Sequence, residues 1–300
     1  MNSGILTLAL LDGVSYAGML FIVSLGLTFI FGVTNILNVA HGSLYACGGY
    51  ATASIGLWLM GNDGGIINSI FSIIAGTLLV GVIVGLILEY LLRFFEKKPP
   101  ILQLIITFAF FMILEDVQRL IWGTSPYFVS TIVGEMGNVE VLGVFYTNYQ
   151  LIVLPGAAVI IYFILNWFLK HSLLGKKIVA VTHNKEVAVG MGVDAKKIKK
   201  ITFIIGGLLG AFGGALASPT TSMVPGISAD IIVLSFAVVA TAGLGQVTGA
   251  LIAALIIGIF RSLSIYLYPE LEVVIPYVIM GTVLLFKPQG LFTVEKARRI

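Results

Sequence analysis

Two short stretches of this sequence gather polar groups and glycines in the way that handling a small solute requires. The first, Asn35-Ile-Leu-Asn38-Val-Ala-His41-Gly42-Ser43, sets two amides, an imidazole and a hydroxyl within nine residues. It lies between two apolar runs, and polar groups at membrane depth are costly enough that they normally face a bundle interior or an aqueous cavity. One reading makes it a pathway-lining turn at the start of a half-helix, whose free N–H groups would meet a substrate carboxylate. The other makes Asn38 and His41 caps at a membrane boundary. The second stretch, Thr241-Ala-Gly243-Leu-Gly245-Gln-Val-Thr248-Gly249, separates the apolar runs 231–239 and 250–260. Glycines this dense break or kink a helix, and broken membrane helices tend to flank transport sites. A plain tight turn between two helices would use the same residues. On the transport readings, Asn35, Asn38, His41, Gly42, Ser43, Thr241, Gly243 and Gly245 are the candidate pathway residues.

A third stretch, 170–200, carries eight of the 17 basic residues, accompanied only by Glu186 and Asp194. It is much longer than an ordinary helix connection. Its lysine-rich ends flank Glu186-Val-Ala-Val-Gly-Met-Gly-Val193, which suits one or two amphipathic helical turns. A solvated basic loop needs only the lysines. It does not account for Val187, Ala188, Val189, Met191 and Val193 in water, whereas a loop with its own helix and small apolar face can dock onto a partner.

Catalytic and metal chemistry find no such support. His171 and His183 lie in that basic segment, leaving His41 as the membrane-associated histidine. The sequence has no His-x-x-x-His pair, no intramembrane Asp/Glu cluster, no G-x-S-x-G elbow and no G-x-x-x-x-G-K-[ST] loop,. No catalytic residue, metal ligand or cofactor is therefore expected, and no ATP bound through a P-loop of this chain. The one cysteine, Cys47, excludes an intrachain disulfide,.

The elements that must position these stretches follow from composition. Of 300 residues, 58% are hydrophobic and 10% charged, against about 25% charged in a soluble domain. Mean hydropathy is +1.07. A soluble enzyme, a nucleic-acid binder and a disordered scaffold are excluded, and the chain is an integral membrane protein whose solvent is the lipid bilayer. A barrel would alternate apolar and polar residues. Runs such as 66–92 and 151–169 instead reach the roughly 20 residues a helix needs to cross the hydrocarbon. The fold class is all-α, a polytopic transmembrane helical bundle forming a single domain over 1–300. Spans are expected near 13–33, 41–60, 66–92, 101–122, 150–169, 201–218, 230–243, 247–267 and 272–286, which is eight or nine. The Gly-rich 41–60 and the short 230–243 are expected to be broken or re-entrant. Residues 1–11 lack Lys and Arg, so no cleavable signal peptide is expected.

Local spacing adds detail. The pairs Gly81/Gly85, Gly206/Gly210, Gly210/Gly214 and Gly245/Gly249 sit four apart, as tight helix packing requires. Glu89 with Arg93, and Glu115 or Asp116 with Arg119, are spaced for helical ion pairs, and Asp230 for an N-terminal cap. Basic residues cluster in 93–100, in 170–200 and at the C-terminus (Lys287, Lys296, Arg298, Arg299), while 123–149 has none. The positive-inside rule makes the first three cytoplasmic and the 123–149 loop external.

Four segments together resemble a known family. Gly13-Val-Ser-Tyr16-Ala, Leu25-Gly26-Leu, Phe31-Gly32-Val, Asn38-Val-Ala-His41-Gly42 and Gly48-Gly-Tyr50 resemble the N-terminal signature of branched-chain amino acid permeases of the LivH type, membrane subunits of ABC importers. Gly175, Ala180 and Asn184-Lys-Glu186-Val-Ala188-Val-Gly190-Met-Gly192-Val resemble that family's cytoplasmic coupling loop. Gly243-Leu-Gly245-Gln-Val-Thr-Gly249-Ala and Phe286-Lys-Pro288-Gln-Gly290-Leu-Phe292 resemble its late glycine-rich and C-terminal motifs. The matches fall in order over nearly the whole chain. Departures include Val39 in place of Phe, Ser43 in place of a larger polar residue, Lys185 in place of Pro, and Ala242 in place of Gly. The segment after the third span reads Arg93-Phe-Phe-Glu-Lys-Lys-Pro99-Pro100, without the usual Arg-Pro near its start.

The resemblance implies a multi-pass protein of the inner or plasma membrane, with Gly175, Asn184, Glu186, Ala188, Gly190 and Gly192 in contact with the motor. It implies two ATP-binding subunits on the cytoplasmic side, a second homologous permease and an external substrate-binding protein, with 123–149 its contact. Branched-chain or other hydrophobic amino acids are the implied cargo. Urea, short amides or another small solute are alternatives within the class, and a self-sufficient channel or secondary transporter is the alternative outside it. The channel reading accounts for broken glycine-rich helices but not for a long loop with an amphipathic insert. A membrane enzyme ranks below both.

Overall fold

A computed structural model describes residues 3–60, 65–96 and 98–292. Lys97, Lys296, Arg298 and Arg299, invoked above for orientation, lie outside the described residues. The chain runs through α1 (Ser3–Thr34), α2 (His41–Met60), α3 (Ile66–Phe94), α4 (Pro100–Trp122) and the short α5 (Thr131–Met136). A hairpin, β1 (Asn138–Val141) and β2 (Val144–Thr147), precedes a π turn (Tyr149–Val153) that leads into α6 (Leu154–His171). Then follow α7 (Leu173–His183), α8 (Lys185–Gly190), α9 (Ala195–Ala217), α10 (Ile227–Ala242), α11 (Val247–Leu267) and α12 (Ile275–Phe286).

Six of these segments are long and apolar enough to cross a membrane, namely 4–34, 66–94, 100–122, 149–171, 195–217 and 247–267. Two apolar helices are shorter. At 1.5 Å per residue, α10 and α12 are only about 24 and 18 Å long. The glycine-rich 41–60 segment departs from expectation, because α2 is continuous over its 20 residues. Its glycines face neighbours instead of interrupting it: Gly48 lies on Ala211, and Gly49 on Met223 and Gly214. A helix enclosed by protein can carry glycines on its contact faces, where they let neighbouring backbones approach without breaking it. Helix α1 also differs from the expected 13–33, extending toward the hairpin, where Tyr146 donates to Asp12 at 2.6 Å.

Helix α1 is apolar on every side and correspondingly central: 83% of its most apolar window is buried, against 17% for 149–171. Helix α9 packs on α1, α2 and α3 along glycine seams. Gly207 lies against Gly81 and Gly85 of α3, Gly206 against Gly26 and Ile30 of α1, and Gly214 against Tyr45 and Gly49 of α2. In lipid, close approach rather than the hydrophobic effect holds helices together, so these seams carry much of the association. Three of the four predicted glycine pairs serve it. The Gly245/Gly249 pair does not line one helix face, because Gly245 lies in the α10–α11 link at φ +83.

The expected ion pairs form, Arg93 with Glu89 at 2.7 Å and Arg119 with Asp116 and Glu115 at 3.8 and 4.0 Å. Asp230 does not cap. Gly226 is the N-cap of α10, with no side-chain bond, which leaves Asp230 exposed at the fourth helical position.

The basic segments converge. Glu96 of the α3–α4 link contacts Lys185 and Lys199, and the chain after Lys287 packs on the end of α10. Residues 93–96, 98–100, 170–200 and 287–292 therefore share one end of the bundle, and α5 with the β hairpin occupies the other.

Candidate functional site

The first polar stretch closes off α1 and begins α2. Asn35 takes a left-handed conformation, φ 55, and its N–H still bonds Phe31 O at 2.8 Å. Asparagine tolerates that conformation after a helix, so Asn35 is the exposed terminator of α1. Asn38, His41 and Ser43 are fully buried. His41 is the first residue of α2, and its ring reaches α1, with Nε2 2.9 Å from Val23 O. A carbonyl only accepts, so Nε2 carries the proton. The imidazole fits against Gly26 and Gly210, where a Cβ would come within 2.8 and 2.9 Å of its Cε1. Gly42 lets the turn touch Ser228 of α10.

Neither Asn38 nor His41 caps α2. Both amide atoms of Asn38, His41 Nδ1 and Ser43 Oγ are buried without a hydrogen-bond partner among the described residues. An unpaired buried polar group costs roughly 1–3 kcal/mol, and three neighbouring residues bear that cost here. The turn itself is held from α4, where Thr107 Oγ1 donates to Leu104 O at 2.9 Å, accepts from Val39 N at 3.3 Å and lies 3.4 Å from Leu37 O.

The second stretch is a link of residues 243–246 between α10 and α11, and it is completed by the C-terminal motif. Leu291 N donates to Thr241 O at 2.9 Å and Phe292 N to Ala242 O at 3.0 Å. The C-terminal segment thus pairs carbonyls that a helix end leaves free. Gly243, at φ +100, admits this close approach, because a Cβ there would strike Phe292 O. Thr241 is buried with its hydroxyl unpartnered. A Cβ on Gly32 would sit 3.7 Å from both Gly245 Cα and Thr182 Cγ2, so the end of α1 brings this link beside α7.

The third stretch is more helical than its sequence suggested. Ser172 caps α7 through Gly175 N at 2.8 Å, Asn184 caps α8 through Val187 N at 3.1 Å, and Asp194 caps α9 through Lys196 N and Lys197 N. Gly175 is buried where a Cβ would meet the end of α6 at Leu169. On α8, Ala188 is buried while Val187 and Val189 are 56% and 50% exposed, and Met191, just past the helix end, is 81% exposed. Glu186 and Gly190 are exposed beside them. Gly192 turns the chain toward α9 at φ +85.

Sequence reasoning passed over Glu96. Burial raises its pKa, but Lys185 Nζ and Lys199 Nζ, both donating to Oε1, at 2.6 and 2.7 Å, outweigh that and hold the carboxyl at about 2. Nothing in the spacing of residues 96, 185 and 199 signals the contact, which only the tertiary fold creates. A cleft beside it is lined by Thr34, Ile36, Glu89, Arg93, Lys196 and Lys199, among others.

A helical bundle with buried polar turns, long apolar spans and its basic segments at one end is a multi-pass membrane protein,. Its sequence matches the family described as "Branched-chain amino acid transport system / permease component" over residues 9–284, and the chain belongs to that family. It is 23% identical to the high-affinity branched-chain amino acid transport system permease protein LivH of Escherichia coli, over 93% of each chain. It is 29% identical to the probable branched-chain amino acid transport permease LivH of Methanocaldococcus jannaschii, over 95% of this chain and 92% of that one. The ribose import permease RbsC of Haemophilus influenzae is 27% identical, over 80% of this chain and 72% of that one.

Proposed function

We propose that this chain is the membrane-spanning subunit of an ABC importer that carries branched-chain or other hydrophobic amino acids into the cell. Residues 1–300 form one permease domain, paired with a second homologous permease, driven by two ATP-binding subunits and supplied by an external substrate-binding protein. The observation that carries the reading is the family match over residues 9–284. The exposed Val187, Val189 and Met191 on and just past a capped helix support the motor contact. Convergence of the basic segments at one end supports a cytoplasmic position for that end, which leaves α5 and the hairpin facing the binding protein.

In this conformation Asn38, His41, Ser43 and Thr241 are enclosed, and the pathway they line is shut. ATP binding favours the permease conformation that the closed ATPase dimer binds better, and it shifts access by that difference in affinity. The unpaired atoms of Asn38 and Ser43 gain partners only when the turn opens to water or cargo. The match to ribose permeases favours a second reading, in which the same machinery carries a small polar solute.

The test is uptake into proteoliposomes holding the permease with its ATPases. Labelled leucine, urea and ribose are compared with the binding protein and ATP present. ATP-dependent leucine uptake supports the reading. Preference for ribose or urea moves the substrate, and uptake without the ATPases overturns the class.

A further inference from the structure

We infer that Glu96 tethers the coupling helix α8 to the polar turn at 35–43, through the first two turns of α4. The inference rests on the importer reading for its direction of force, but its contacts stand on geometry.

At one end, Lys185 is the first residue of α8, and its Nζ lies 2.6 Å from Glu96 Oε1. The same oxygen accepts from Lys199 of α9 at 2.7 Å. A single carboxylate thus joins the α3–α4 link to two consecutive helices about 90 to 100 residues further on, α8 and the start of α9. Its own backbone is held. Gln103 Nε2, on a buried side chain, donates to Lys98 O at 2.8 Å and to Glu96 O at 3.4 Å. Pro99 and Pro100 open α4 directly after the link, where the fixed proline φ removes slack. The link moves as one body with the start of α4.

At the other end, Thr107 lies one helical turn beyond Gln103 and therefore on the same face. Its hydroxyl, which donates to Leu104 O at 2.9 Å, accepts from Val39 N at 3.3 Å and lies 3.4 Å from Leu37 O, on either side of Asn38. The contacts run from α8 through Lys185, Glu96, Gln103 and Thr107 to the backbone beside Asn38. The joints at Lys185 and at Lys98 O are short, 2.6 and 2.8 Å, and the one at Val39 N is longer, 3.3 Å. A push on the exposed face of α8 reaches the backbone that carries the buried Asn38 through hydrogen bonds and one helix, without crossing the glycine seams of α9. Lys199 marks the fixed side of the joint, since its side chain is 14% exposed against 48% for Lys185.

The test uses the full permease–ATPase complex in proteoliposomes and measures leucine uptake and ATP hydrolysis together. In Glu96→Gln, hydrolysis should persist while uptake per ATP falls roughly 5- to 10-fold, the lower range of a coupling contact. Lys185→Gln should act alike without burying an unpaired charge, so it serves if Glu96→Gln assembles poorly. The double variant should be no worse than either single one, because both break the same joint. Independent multiplication of the two effects, or unchanged uptake per ATP in both singles, overturns the tether. Hydrogen exchange on the detergent-solubilised complex gives a readout that needs no transport. Amides of residues 185–190 should exchange faster in Glu96→Gln, and unchanged exchange there also counts against the tether. If wild-type complex shows no ATP-driven uptake, the importer reading fails, and the exchange result still decides the contact.

Discussion

His41 and Gly210 offer the sharpest check on how the buried turn is built. The imidazole sits where α1, α2 and α9 meet, bonded to Val23 O and pressed against two glycines. His41→Ala loses that hydrogen bond, worth about 1 kcal/mol, and leaves a cavity, so the total should be about 3 kcal/mol. Gly210→Ala adds a Cβ 2.9 Å from His41 Cε1 and 3.2 Å from Leu44 Cβ. Because both neighbours are side chains, the cost should be moderate, about 1–2 kcal/mol. Gly26→Ala should cost more, because its Cβ would also lie 2.7 Å from the backbone oxygen of Gly206. In the double variant His41→Ala/Gly210→Ala, the new methyl group enters the space the ring has left. Its destabilisation should fall short of the sum by about 1–2 kcal/mol. Thermal unfolding in detergent reads this as an apparent Tm about 2–4 °C above the additive value. Strict additivity would refute the packing argument, as would a Gly210→Ala protein melting like wild type.

Three further outcomes are expected. Asn38→Ala should abolish most uptake while leaving the apparent Tm unchanged or raised, because it removes a buried amide with no partner,; a Tm that falls together with uptake would mean the amide is structural. Gly192→Ala should strain the φ +85 turn by about 1–2 kcal/mol, and lower uptake per ATP; unchanged uptake per ATP in the same assay would remove that turn from the coupling. The third concerns pH. The folded pKa of Glu96 lies near 2, below its unfolded value, so its contribution is complete above the unfolded pKa and is lost as pH falls toward 2. The Tm difference between wild type and Glu96→Gln should therefore be flat from pH 5.5 to 8 and shrink below about 4; a difference that varies across neutral pH would place the dependence elsewhere.

Much of this architecture was legible along the chain, because its determinants are local or compositional. A helix in lipid must satisfy its own backbone, so apolar length alone located α3, α4, α6 and α11. Charge clustering separated the two ends, since ionic groups cannot stay within hydrocarbon. The α8 surface was visible as apolar residues among lysines.

What the one-dimensional pattern left open depended on neighbours distant in sequence. Spacing could not tell that Asn38 and His41 turn inward instead of capping α2, because that depends on Gly26 and Gly210 leaving room for the ring. It could not tell that Gly243 exists to admit Phe292, or that Gly245 belongs to a link and not to a helix face. Gly-rich α2 looked broken because glycine is a helix breaker in isolation, whereas here Gly48 and Gly49 face neighbouring protein that holds the helix continuous. Glu96 was silent altogether. An ion pair across residues 96, 185 and 199 has no sequence period, and it comes into being only when three chain segments arrive at the same end of the bundle.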